Sequence, residues 1–147
     1  MVTYYKLKYY MNASHSFLNH PEQRHAHTFA ITLFLEVLGQ EFLSFHDIEE
    51  RLHQYFENYS GKYLNALPQF QNLEPTIENM GDYFYEDLRR ELAHYKLHLM
   101  QLSISETPVR KYSISDNLLI SSAGNDDVDS KWETLLKDKE TFENVLL

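Results

Sequence analysis

His25-Ala26-His27-Thr28-Phe29-Ala30-Ile31-Thr32-Leu33-Phe34-Leu35-Glu36-Val37 is the stretch on which the fold turns. Successive side chains of a strand point to opposite faces, so His25 and His27 share a face with Phe29, Ile31, Leu33, Leu35 and Val37. Thr28, Ala30, Thr32 and Glu36 take the other side, with Phe34 the exception. The two imidazoles therefore open a strand at one end of its core face. Upstream, Leu7, Tyr9, Met11 and Ala13 lead in the same way to His15, which closes a strand of its own, opposite Lys6, Lys8, Asn12 and Ser14. If the two runs pair as antiparallel neighbours across a loop from Ser16 to Arg24, the end of the first lies beside the start of the second and all three imidazoles converge.

Three neutral imidazoles with a fourth position left to water make a catalytic zinc arrangement, because a structural site usually closes with a fourth protein ligand, commonly Cys. This chain has no Cys. The competing reading is a His-rich strand end, His20 included, that binds nothing, and the spacing leaves both open.

Composition limits the rest. The 147 residues, 43% of them apolar, amount to one domain with a core that needs no covalent staple. The lack of Cys excludes a disulfide framework and a thiol nucleophile. Thirteen basic against 22 acidic residues leave a net charge of −9, which argues against nucleic-acid or anionic-membrane partners. The N-terminus alternates Tyr with Lys instead of running apolar as a secretory signal does, and no stretch approaches the roughly 20 apolar residues of a membrane span. A cytoplasmic location is expected.

Beyond the two strands, Ser44 reads as the N-cap of a helix with Asp47 in its first turn and Ile48, Leu52, Tyr55 and Phe56 at helical spacing, ending near Asn58 to Gly61. Pro75-Thr76 opens a second helix with Glu78 where the helix dipole favours an acid. Its buried stripe is Ile77, Gly81, Phe84, Leu88 and Leu92; Glu86, Arg89, Arg90 and Glu91 form a solvated face. Leu97 to Thr107 and Arg110 to Ser115 read as a hairpin whose turn contains Pro108. The expectation is an α+β domain over residues 1–116, a four-stranded antiparallel sheet with two helices on one face. A linker over 117–130 and an amphipathic C-terminal helix over 131–147 follow. That helix either packs on its own domain or docks on a neighbouring subunit.

Ala13-Ser14-His15, His25-Ala26-His27, Tyr63-Leu64-Asn65, Pro75-Thr76-Ile77-Glu78-Asn79 and Ser105-Glu106-Thr107, in this order over residues 1–116, resemble the 6-pyruvoyltetrahydropterin synthase and 6-carboxytetrahydropterin synthase family. Each piece alone is weak; the ordered set carries the resemblance. It implies zinc on His15, His25 and His27, the trio that the strand argument reaches separately. It also implies the tunnelling fold, a homo-oligomer such as a hexamer, and a pterin-type small molecule bound between subunits. Glu106 would anchor the pterin ring, with Thr76, Ile77 and Glu78 approaching from an adjacent chain. A carboxylate suits that ring because its two acceptor oxygens match the two adjacent N–H donors of the amino-pyrimidinone edge. Glu106 falls in phase with Met100, Leu102 and Ile104 on a buried face; the alternative is a carboxylate turned outward at the strand end.

The departures from the family bear on activity. Where the family carries a proton-transferring Cys ahead of the His pair, this chain has Pro21, and where it carries an Asp-His pair before Leu-Asn, it has Ser60 and Gly61. A family Asp appears as Ser44, and the glycine between the zinc histidines as Ala26. Rearranging or cleaving a dihydroneopterin side chain requires a base within hydrogen-bond reach of the proton it removes. Glu22 is the local replacement, since some relatives are similar in using a Glu for the Cys; otherwise it is an exposed loop acid. Two classes follow: a zinc-dependent pterin lyase of altered chemistry, or a non-catalytic paralogue that binds or assembles.

Overall fold

The computed structural model describes residues 3–40 and 43–116. Strands β1 (Tyr5–Phe17), β2 (His20–Val37), β3 (Leu97–Thr107) and β4 (Arg110–Ser115) form one antiparallel sheet in the order β1-β2-β3-β4. Helices α1 (Phe45–Phe56) and α2 (Ile77–Ala93) lie between β2 and β3 in the chain and cover one face of the sheet. The linker and helix expected over 117–130 and 131–147 lie outside the described residues. Among the described residues no helix is long and apolar enough to cross a membrane.

Both helices start where their capping residues dictate. The Ser44 hydroxyl accepts from the Asp47 amide, and the Thr76 hydroxyl accepts from the Asn79 amide, each satisfying a donor that the first turn leaves without a partner. The strand phase holds as well: Leu7, Met11, Phe29, Ile31, Leu33 and Leu35 are buried against Ile48, Leu52 and Phe56 of α1 and Phe84, Leu88 and Leu92 of α2. Gly81 lets α2 approach the sheet, since a Cβ there would stand 2.8 Å from Tyr112 Cδ1 and 3.1 Å from Ile104 Cγ2. Phe34, out of phase, is buried on the opposite face, with the Tyr4 ring edge-on at 5.5 Å.

The structure corrects three sequence expectations. The loop expected from Ser16 to Arg24 is a turn of only Leu18 and Asn19. His15 therefore lies inside β1 instead of closing it, and His25 and His27 lie inside β2 instead of opening it. The extra residues are absorbed as an irregularity, because the pairing passes from His15↔His25 straight to Phe17↔His20 and sets Pro21–Arg24 opposite Ser16 alone. Pro21, which has no amide hydrogen to contribute to a ladder, is at home there. The third correction is Met100. The register shift between Phe34↔Gln101 and Leu35↔Leu99 makes it the extra residue of a bulge, so Leu99, and not Met100, joins Leu102 and Ile104 in the core.

Candidate metal centre

Antiparallel pairing brings the histidines together as the strand phase requires. His15 stands directly across from His25, and His27 across from Ala13. The ring centroids are 4.4 Å (His15–His25), 4.7 Å (His25–His27) and 5.4 Å (His15–His27) apart, and one nitrogen from each ring lies within 4.8 Å of the others. His15 is buried, His27 half-buried and His25 exposed.

Hydrogen bonds set the tautomers. A carbonyl can only accept, so His15 Nδ1–H donates to the Pro75 carbonyl at 2.6 Å and His25 Nδ1–H donates to the Gln23 carbonyl at 3.0 Å. In each ring the lone pair is left on Nε2, the arrangement of a metal-binding histidine whose other nitrogen is oriented by a carbonyl. Burial holds the His15 pKa below its ordinary value of 6.5; the Pro75 carbonyl and Glu106 oppose that shift, and His25 and His27 reinforce it. That shift favours the neutral imidazole, the form in which a histidine binds metal.

A second segment fixes the strand irregularity beside His15. Asn65 Nδ2 donates to the Ser16 carbonyl at 2.8 Å, and the Ser16 amide donates to Asn65 Oδ1 at 3.0 Å. The Leu18 amide donates to the Glu74 carboxylate at 3.1 Å, tying the β1–β2 turn to the approach of α2. Asn65 belongs to the Tyr63-Leu64-Asn65 motif, but nothing in a single sequence shows that its amide spans both polar groups of Ser16.

The cluster forms one wall of a cavity of about 720 Å3. Glu106, Thr76, Ile77 and Glu78 line it too, so every site residue named from the sequence except Glu22 meets here. Within the chain itself, Pro75, bonded to His15, delivers Thr76, Ile77 and Glu78 at the start of α2 to the cavity. Glu106 turns inward with 15% of its side chain exposed; its Oε2 lies 3.8 Å from His15 Nε2 and 3.7 Å from His27 Nε2, and its Oε1 3.6 Å from Arg110 Nη1. Glu22 is exposed, bonded to His20 at 3.0 Å, and not among the residues lining the cavity. Among the described residues, two buried side-chain polar atoms have no hydrogen-bond partner, His15 Nε2 and Thr107 Oγ1. Both residues line this cavity. Orphaned buried polar atoms are costly and rare, and a divalent metal on the three histidines would satisfy the first.

The 6-pyruvoyl tetrahydropterin synthase family model matches residues 4–117. The chain belongs to this family. Its sheet and helices are the family's tunnelling fold. The 6-pyruvoyl tetrahydropterin synthase of Caenorhabditis elegans is similar with a TM-score of 0.66 at 14% identity, over 80% of this chain and 97% of that one. An uncharacterized Wolinella succinogenes protein is similar at 0.59 and 12% identity, over 80% and 99%. A Plasmodium vivax 6-pyruvoyltetrahydropterin synthase, as a variant with a catalytic glutamate replaced by alanine, is similar at 0.57 and 14% identity, also over 80% and 99%. At such identities the likeness is one of fold. No curated protein sequence matches the chain.

Proposed function

We propose that this member of the 6-pyruvoyl tetrahydropterin synthase family binds zinc through His15, His25 and His27 and a pterin-type small molecule in the adjoining cavity, with lyase chemistry that is altered or lost. One observation carries the reading: among the described residues, the two buried polar side-chain atoms without partners belong to residues of the same cavity, one on a metal-type histidine and one beside Glu106. Glu106 accepts from the amino-pyrimidinone edge, and Thr76, Ile77 and Glu78 wall the ring. Bound zinc would polarise an oxygen of the pterin side chain.

Turnover then needs a base. Pro21, Ser60 and Gly61 carry no group that titrates near neutral pH, which leaves Glu22 as the acid of that segment. A second reading, a non-catalytic paralogue that binds or assembles, is favoured by Glu22 itself, which is exposed and bonded to His20. Copies associate as a homo-oligomer through the sheet edges β1 and β4, a hexamer by analogy with the family.

Three measurements test this. Purified protein should hold about one zinc per three-histidine site, and neopterin should bind by calorimetry; a chain that takes up neither sinks the proposal. Incubation with dihydroneopterin or its triphosphate, followed by mass analysis, separates enzyme from paralogue. If product forms and Glu22→Gln leaves the rate unchanged, Glu22 is not the base. Light scattering reads the oligomer.

A further inference from the structure

Both helices pack on one face of the sheet, yet the middle of the other face is shielded from water. Thr32 and Phe34 of β2 pair there with Ser103 and Gln101 of β3, and none of the four is more than 3% exposed. Phe34 has the Tyr4 ring edge-on at 5.5 Å and the Lys6 ammonium 5.9 Å from its centroid. Ser103 has no cover of that kind. Its ladder neighbours are Thr32 and Ser113, whose side chains are too short to shade it. The Ser103–Ser113 hydroxyl pair at 2.7 Å satisfies hydrogen bonding without excluding water. By strand register Lys6, Lys8 and Lys111 stand on the same side, all half-buried, which gives this face a positive rim in a chain of net charge −9.

We propose that residues 131–147 of the same chain lie across this face and roof it. The segment is outside the described residues, and three features of the chain suit it to the place. Trp132, Leu135 and Leu136, then Phe142, Val145 and Leu146, each repeat the i, i+3, i+4 spacing of an apolar helix stripe. Residues 117–147 carry seven acids against three lysines, a charge opposite to that of the rim. Reach is ample, because β4 ends at Ser115, opposite Gln101 on that same face. From there residues 117–130 extend to roughly 46 Å, whereas four strands span about 14 Å and a helix over 131–147 is about 25 Å long. Tethering selects the occupant, since an attached segment meets the face at an effective concentration that a separate copy does not match. Residues 1–2 and 41–42, also outside the described residues, are too few to roof two central strands. The roof makes a third layer and closes the second face of the sheet to other molecules, whatever the metal site holds.

The test uses the full chain, which has one tryptophan, Trp132, and no Cys, so it gives a single indole N–H resonance and takes a nitroxide only where a thiol is introduced. Tyr10, 61% exposed on β1, faces the same side as Lys8, and Glu86 is exposed on α2 beyond the other face. A nitroxide on Tyr10→Cys should broaden the Trp132 indole resonance of isotope-labelled protein several-fold more than one on Glu86→Cys. In the unmodified chain, acrylamide should quench Trp132 fluorescence several-fold less than it quenches free tryptophan. Broadening that is equal from the two positions, or stronger from Glu86→Cys, overturns the proposal, and so does quenching as strong as that of free tryptophan. Mixing isotope-labelled wild-type chain with unlabelled nitroxide-bearing chain identifies the source of the roof: broadening as strong as within one chain assigns it to a second copy and overturns the same-chain assignment. Thr28→Cys, exposed on the same side, takes the place of Tyr10→Cys should that variant not fold.

Discussion

Each end of the sheet gathers histidine around a carboxylate, and only one end looks like a site. At the far end, Asp116 Oδ1 has Arg89 Nη1 at 2.9 Å and also accepts from the Tyr85 hydroxyl. Its Oδ2 has Arg89 Nη2 at 3.0 Å and His98 Nε2 at 3.1 Å. Both oxygens are satisfied, burial and the Asp116 bond push the Tyr85 hydroxyl up to about 12, and the cluster fastens β4 to α2. At the near end, Glu106 stands 3.7 and 3.8 Å from its histidines, and one of those rings carries an orphaned nitrogen in a cavity of about 720 Å3. A cluster of titratable groups is therefore weak evidence of function. Unsatisfied polar atoms facing a cavity are stronger evidence, because folding alone does not repay their burial.

Substitution at matching positions can break this contrast. The largest effect should come from the histidines: His27→Ala empties the metal site while His98→Ala leaves the metal content of the purified protein intact, and the reverse result would exchange the roles of the two ends. Next, Glu106→Ala should weaken neopterin binding by calorimetry by roughly ten- to a hundredfold, the scale of a charge-assisted hydrogen-bonded pair worth about 1.5–3 kcal/mol. Asp116→Ala should leave that affinity unchanged. Smaller again, Asn65→Ala removes the partner of both polar groups of Ser16; denaturant unfolding should show a loss of about 1–3 kcal/mol, with weaker metal binding because the strand beside His15 loosens. The smallest shift, about 1 kcal/mol of destabilisation, is expected for Gly81→Ala, where overpacking against Tyr112 outweighs the gain in helix propensity. A more stable Gly81→Ala protein would mean that the Tyr112 ring yields without cost, despite its hydroxyl bond to Asp82.

Much of this was legible before any coordinates. The caps Ser44 and Thr76, the limits of β3 and β4, and the convergence of three histidines follow from local rules of period and capping. The misreadings share a cause. The length of the β1–β2 turn and the bulge at Met100 depend on how distant segments settle against one another. Arg110 carried no signal as a site residue, since one strand-initial arginine reads like any other.

By itself the sequence determined the order of strands and helices, the caps of both helices, and that His15, His25 and His27 share a face, because side-chain period and end-capping act over a few neighbouring residues. Tertiary structure alone decided which polar atoms are left wanting a partner. The Pro75 carbonyl that orients His15 lies 60 residues away from it, and Glu106 reaches the rings only through β3 pairing beside β2. Satisfaction of a buried donor or acceptor is a property of contacts closed by the whole fold.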